Sequence, residues 1–316
     1  MWKRYVNTGL RHTIGYELAR PAGHQLWRLP PGQGGRLLAA PVFILCAARS
    51  GSTLLRAVLG SHSQLYAPPE IPLRHLTAEA GTPWIQASLA ALRLTGEDLD
   101  YLLWDRVIAD ALRRSGKPTA VVKTPSNVLI WQRIAACWPD ARFIFLLRHP
   151  AAAVRSLHAA WDPAWHPGEE GTLDEALGKG LRYMTAVEEA RRALPGFTIR
   201  YEDLAASPEA AIRPVCDFLG VPFEPAMLDY GQFADHRFVA GLGDASEKIR
   251  SGRIQAAVPP PRPADVPAEL REMCATWGYL GPAADAGPAS AAGTGLAGAH
   301  VPYQRASHRD AQPEQH

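Results

Sequence analysis

Short apolar runs alternate with helix-length amphipathic stretches along most of the chain. Pro41–Cys46 (PVFILC) is a run with β-branched residues bounded by turn signals, which predicts a buried strand, and Ser52–Ser61 behind it reads as a helix. The unit recurs. Thr119–Lys123 (TAVVK) predicts a strand followed by a helix over Val128–Trp138, and Arg142–Leu147 (RFIFLL) a strand followed by a helix over Ala151–Ala160. A fourth strand, Phe197–Tyr201, leads to a helix from Pro208 to Leu219, with Ser207 placed to cap it and Pro208 at its first position. Helical stretches around Asp98–Arg114 and Leu173–Ala193 are expected to cover the sheet or wall an acceptor pocket, and Asp265–Leu280 reads as a last helix. Strands alternating with helices pair in parallel and are covered on both faces. The expected fold class is therefore α/β, a single domain with a central parallel sheet of about four or five strands flanked by helices. In such sheets ligands bind at the carboxyl ends of the strands, so the residues just after each strand matter most.

The two ends read differently. Met1–Arg20 places Trp2, Val6, Leu10, Ile14 and Leu18 at roughly helical intervals, an amphipathic helix suited to packing on the main body, to peripheral membrane contact or to homodimer formation. A Pro- and Gly-rich linker, 30–35, follows it. From Pro282 to His316 the chain is rich in Ala, Gly, Pro and Ser and has too few large apolar side chains to offset the entropy of ordering, so a disordered tail is expected. The expected organisation is thus a helix and linker over 1–40, a domain over 41–281 and a tail over 282–316.

Composition narrows the function classes. The 316 residues are 47% hydrophobic and 20% charged, as in ordinary globular proteins. Lys+Arg 33 against Asp+Glu 31, a net charge of +2, lacks the basic excess of a nucleic-acid binder. No uncharged apolar run approaches the ~18 residues of a bilayer span. Met1–Arg20 has neither the apolar segment nor the cleavage site of a signal peptide. Cys46, Cys137, Cys216 and Cys274 form no CxxC and read as buried thiols of a cytoplasmic protein. The 11 histidines include no HExxH or tight cluster, so no metal is expected.

The first strand ends in Ala47-Ala48-Arg49-Ser50-Gly51-Ser52-Thr53. A strand, a tight loop of small residues and a helix start make an anion site from backbone N–H groups and the helix dipole. Gly51 allows close approach, Ser50, Ser52 and Thr53 add hydroxyls, and Arg49 adds fixed charge. The Gly-Lys of a nucleoside-triphosphate P-loop is absent, which disfavours a phosphotransferase. The third strand delivers Arg148-His149-Pro150, with Ser156 eight residues after Arg148 and two turns into the next helix. That pair suits a second phosphate, gripped by the guanidinium.

These residues resemble the sulfotransferases that use 3′-phosphoadenosine 5′-phosphosulfate (PAPS). Arg49-Ser50-Gly51-Ser52-Thr53 looks like their 5′-phosphosulfate loop, and Arg148 with Ser156 matches their 3′-phosphate motif, spacing included. Arg49–Glu70 is similar to tyrosylprotein sulfotransferases and to the sulfotransferase domains of polyketide synthases, with Ala67-Pro68-Pro69-Glu70 nearest the latter. The likeness continues through Lys123-Thr124-Pro125, Arg200–Leu204 and Phe218–Val221.

The resemblance implies a P-loop nucleotide-kinase-like fold, a PAPS co-substrate and adenosine 3′,5′-bisphosphate (PAP) as product. It implies that Arg49 sits beside the phosphosulfate, that Gly51, Ser52 and Thr53 cradle the 5′-phosphate, and that Arg148 and Ser156 hold the 3′-phosphate. Tyr201 falls near the donor nucleotide, Glu70 where the tyrosylprotein enzymes carry their general base, and Lys123 where they carry a lysine aimed at the transition state. Ser246, Lys248 and Arg253 lie where the family closes a loop over the donor. Ala245 after Gly243-Asp244, and the absence of a His in that segment, depart from the polyketide-type pattern and its specialised carrier-bound chemistry. The expected acceptor is a hydroxyl of a small molecule, lipid or secondary metabolite, free or carrier-bound, because the modest net charge gives no hint of the basic channel an acidic peptide would need. A phosphotransferase and a non-catalytic nucleotide-binding scaffold stand as the alternatives.

Overall fold

A computed structural model describes residues 35–161, 170–232, 243–244 and 246–280; the expected N-terminal helix and C-terminal tail lie outside them. Five strands form one parallel sheet: β1 (Val42–Cys46), β2 (Leu65–Tyr66), β3 (Thr119–Lys123), β4 (Arg142–Leu147) and β5 (Gly196–Arg200). Their order is β2-β3-β1-β4-β5. Phe43 lies opposite Val122 on one side and Phe143 on the other, and Ile144 opposite Phe197. The chain therefore leaves β1 outward in both directions, and the loops after β1, β3, β4 and β5 meet at one end of the sheet. That reversal point is where such sheets bind ligands.

The strand runs are apolar throughout because both faces are covered. Successive side chains alternate, and the two sets enter separate cores. Phe43, Leu45, Val122, Phe143 and Phe145 pack under α3 (Gly96–Ser115), α4 (Trp131–Cys137), α5 (Pro150–Ala159), α6 (Leu173–Ala193) and α10 (Ala268–Thr276). Val42, Ile44, Cys46, Val121, Ile144 and Leu146 pack under α1 (Ser52–Gly60) and α8 (Pro208–Leu219). All four cysteines are free and buried, as their spacing suggested, and burial pushes the Cys46 thiol up to about 11.

Several predicted boundaries move for identifiable reasons. Tyr201 is not the end of β5 but the first residue of a short helix, α7 (Tyr201–Ala206). The helix expected over Val128–Trp138 begins as a 3-10 segment, Pro125–Ile130, because Pro125 opens it, and becomes α-helical only at Trp131. Pro208 does open α8, but Ser207 (φ −142, ψ 71) makes no side-chain capping bond. The large helices are capped by Thr95 and Thr172, each in a reciprocal box with Asp98 or Glu175. Two elements are not among those anticipated: β2, two residues long, and α2 (Pro83–Ala91), which buries no side chain although Thr82 caps it and Pro83 opens it. Residues 37–38 are tied down rather than free, their amides donating to Asp105 at 2.6 and 3.2 Å. Among the described residues no helix is long and apolar enough to cross a membrane.

Candidate active site

The loop after β1 is shaped by two left-handed residues in three, Arg49 (φ 61) and Gly51 (φ 82), before α1 begins at Ser52. A positive φ is strained for arginine and persists where the surroundings hold it. Here Arg148, from the end of β4, donates to the Arg49 carbonyl at 2.6 Å. Gly51 is required for a second reason. A Cβ there would lie 2.3 Å from the Tyr201 ring, so the ring packs directly on the loop backbone. The Arg148 guanidinium lies over the same ring, 4.6 Å from its centroid, and burial holds it below the usual arginine range. The loops after β1, β4 and β5 are thus interlocked through Arg49, Arg148 and Tyr201.

Arg49 extends along the cleft. Its Nε donates to Ser156 Oγ at 3.3 Å and its Nη2 lies 3.2 Å from Asp244 Oδ2. Ser156 is therefore bonded to Arg49, whereas the eight-residue spacing suggested a pairing with Arg148; all three still line one cleft. The Asp244 amide donates to Thr53 Oγ1 at 3.0 Å, and the Ser246 amide to Asp244 Oδ1 at 3.0 Å. Ser246, Lys248, on the short helix α9 (Glu247–Arg250), and Arg253 also line the cleft, so this segment lies beside the loop.

Beneath that segment lies a charged cluster. Lys123, at the end of β3, is fully buried and its Nζ donates to Glu70 Oε1 and, at 3.4 Å, to Thr53 Oγ1. Burial pushes the Lys123 ammonium down from the usual lysine value, while the Glu70 charge opposes that shift. A Cβ at Gly243 would lie 3.0 Å from Thr53 Oγ1, 3.2 Å from Glu70 Oε1 and 3.4 Å from Lys123 Nζ, so the closing backbone rests on the cluster. Read alone, a strand-end lysine suggests a surface group, but the structure buries it.

Glu70 is held by an arginine that its sequence setting hides. Arg56 sits inside an otherwise apolar helix, α1, is 1% exposed, and donates through Nη1 to the carbonyls of Ala67 at 3.2 Å and Pro68 at 3.3 Å. It fastens the segment that carries Glu70 to the helix that starts at the loop. Burial lowers the Arg56 pKa and the nearby Glu70 charge raises it. Ser50 Oγ and Thr124 Oγ1 are buried without a hydrogen-bond partner at the same sheet end.

The histidines divide. His62 is buried away from the cleft, its Nε2 2.8 Å from the Pro222 carbonyl, while His75 lines the cleft. The His149 amide donates to Glu202 Oε1 at 3.0 Å, and Tyr279 donates to Glu202 Oε2 at 2.7 Å, so His149 and Glu202 are structural, tying the segment after α10 to the Arg148 loop. The cleft has a volume of about 1510 Å³. Its wall on α6 includes Lys179, Arg182 and Tyr183, and Arg74 stands near Glu70 in the 3-10 turn Leu73–His75. None of these four carried a motif. The modest net charge of the chain gives no sign of this local concentration of cations. Among the described residues no group of three or more His, Cys, Asp or Glu side chains is placed to hold a metal ion.

A parallel sheet in this order, with a loop of small residues after β1 and a half-buried arginine after β4, defines an α/β protein of P-loop-like fold. The sequence profile of the sulfotransferase family matches residues 41–225, more than half the chain, and the chain belongs to that family. It is 30% identical over 261 residues to the nodulation protein NoeE of Sinorhizobium fredii (strain NBRC 101917 / NGR234), covering 68% of this chain and 60% of that protein. It is 23% identical over 201 residues to the protein-tyrosine sulfotransferase of Drosophila melanogaster, covering 61% of this chain and 40% of that one. The chain thus spans less than two thirds of either relative. The sulfotransferase domain of the curacin biosynthetic pathway shares the fold with a TM-score of 0.55 at 24% identity, over 78% of this chain and 99% of that domain. The domain of the Synechococcus PCC 7002 olefin synthase gives 0.54 at 24%, over 78% and 98%.

Proposed function

We propose that this protein transfers the sulfuryl group of PAPS to a hydroxyl of a small molecule, lipid or secondary metabolite, leaving PAP. The observation that carries the reading is convergence: Arg49, Arg148 and Tyr201, from three strand ends, and Ser156, from α5, line one cleft together with Glu70, and Lys123 is buried behind it against Glu70. In this reading Gly51, Ser52 and Thr53 hold the 5′-phosphate with backbone N–H groups and hydroxyls, and Ser50 adds its buried hydroxyl. Arg148, Ser156 and the closing residues Ser246, Lys248 and Arg253 hold the rest of the donor, the first two at its 3′-phosphate. Tyr201 packs beside the nucleotide.

Glu70 accepts the acceptor's hydroxyl proton as the oxygen forms its bond to sulfur. The bond from sulfur to the 5′-phosphate oxygen breaks, and its electron pair stays on that oxygen. Arg49 and Lys123 stabilise the charge that develops there, so positioning and fixed cations supply most of the effect. Lys123 serves by exchanging part of its contact with Glu70 for the transferring group. Its neighbour Thr53 belongs to the loop, which keeps donor and base in one rigid frame.

Isothermal titration calorimetry of PAP against AMP and ATP tests the donor site. PAP is expected to bind at least about tenfold tighter than AMP, from the charge-assisted bonds to its 3′-phosphate, and Arg148→Ala to abolish that preference. Equal binding of PAP and AMP would overturn the reading. Magnesium-dependent ATP turnover would put a phosphotransferase in its place, and PAP binding without transfer across a broad acceptor panel would point to a scaffold.

A further inference from the structure

The cleft carries more positive charge than a nucleotide donor accounts for. Among the described residues eight Lys and Arg side chains line it against three carboxylates, in a chain of overall charge +2. Arg49, Arg148, Lys248 and Arg253 belong to the donor loops and the closing segment. Of the carboxylates, Glu70 faces Lys123 and Asp244 faces Arg49. Glu175 caps its own helix, accepting from the Thr172 amide at 2.8 Å and hydroxyl at 3.1 Å. Of the remaining cations, Arg155 adjoins Ser156 on the donor side, and Lys179 lies over the Trp161 ring, 5.0 Å from its centroid.

Arg74 and Arg182 are left, and both line the same cleft as Glu70. Arg74 is four residues beyond Glu70, and Arg182 continues the stripe Glu175, Gly178, Lys179 along the cleft-facing side of α6, at spacings of three and four. Tyr183, next to Arg182, is a buried residue lining the same cleft; burial pushes its phenol up, and the Arg74 and Arg182 charges pull it down.

We propose that Arg74 and Arg182 form an anion subsite for the acceptor, which is a small hydroxylated acid whose carboxylate or phosphate is held by these guanidiniums while its hydroxyl lies at Glu70. The inference rests on the sulfuryl-transfer reading of the same cleft. A guanidinium presents a planar fork that matches either anion, and two of them, one from the 3-10 turn and one from α6, can hold it from separate elements. They also offset the repulsion between an anionic acceptor and an anionic donor sharing one cleft. A neutral alcohol would leave both charges unanswered.

The test uses the full chain and radiolabelled PAPS. Hydroxy acids of graded length are each compared with their methyl ester, phosphomonoester alcohols with the parent diols, and acidic tyrosine peptides form a separate arm. The expected result is a kcat/KM for one anionic series at least about tenfold above its neutral partners, the carboxylate and phosphate arms deciding which anion is held. That ratio should collapse toward one in the double variant Arg74→Gln/Arg182→Gln, with retained PAP binding by calorimetry showing that the variant folds. Arg182→Glu, on an exposed helix position, should invert the preference.

Neutral acceptors turned over as well as acids, or a ratio that survives the double variant, would overturn the subsite. A preference for acidic peptides would replace the small acid with a protein acceptor. If PAP binds and no acid is sulfated, the subsite falls and the donor site stands. If PAP does not bind, both fall.

Discussion

Single residues decide the chemistry through what holds them. Glu70 is legible in the sequence only through its place in a resembling family, since a carboxylate after Pro68-Pro69 otherwise reads as a solvated loop group. The structure gives it three neighbours from distant positions: Lys123, Arg56 through the carbonyls of its own segment, and the Gly243 backbone. One arginine in a mostly apolar helix has the pattern of a solvated polar side, and no periodicity marks Arg56 as buried. If Glu70 takes the proton, Glu70→Gln should lower kcat by about 10²–10⁴, the usual value of general-base catalysis, while PAP affinity measured by calorimetry stays within about twofold. Full turnover in a variant that still binds PAP would remove Glu70 from the mechanism.

At the scale of elements, the strand–loop–helix units were readable because each strand is a short apolar run and each loop is built of small residues. The junction of β4 and α5 has a further property. His149 is buried, its Nδ1 has no hydrogen-bond partner, and burial lowers its pKa although the Glu202 charge opposes this. A group whose folded pKa is depressed binds fewer protons folded than unfolded on the acid side of a free histidine's value of about 6.5. Its contribution to stability is therefore fully present above that pH and is lost as the pH falls through it toward the lower folded value. Urea unfolding at pH 7.5 and 5.5 should show a fall in midpoint that shrinks in His149→Gln; an equal fall in both proteins would show that His149 does not titrate in this way.

Across the whole molecule, the segment after α10 locks onto the carboxyl end of the sheet. Trp277 is buried and its Nε1 donates to Glu188 Oε2 at 3.1 Å, while the Trp277 carbonyl accepts from Arg200 Nη2 at 2.5 Å. Tyr279 reaches Glu202, which holds the His149 amide. Residues separated by more than a hundred positions thus brace the loop that presents Arg148. Trp277→Ala should cost about 3–5 kcal/mol, as truncation of a buried aromatic does, read as a shift in the urea midpoint with an unchanged slope. A loss below about 1 kcal/mol would mean that the C-terminal segment is a passive cover.

The sequence by itself determined the parallel α/β class, four of the five strands within a residue or two, and the strand-end loops that carry Arg49 and Arg148. These depend on local pattern: apolar runs that must be buried on both faces, and small residues that let backbone N–H groups approach an anion. Only the tertiary structure decided that Ser156 meets Arg49, that Lys123 is buried against Glu70, and that Arg56 fastens the segment bearing Glu70. It also assembled the cationic wall of Arg74 and Arg182, whose members sit on separate elements. Electrostatic fields sum over space, so a net charge of +2 says nothing of where the cations gather. A buried charge is recognised by its partners, and those partners are brought to it by the order of strands rather than by their order in the chain.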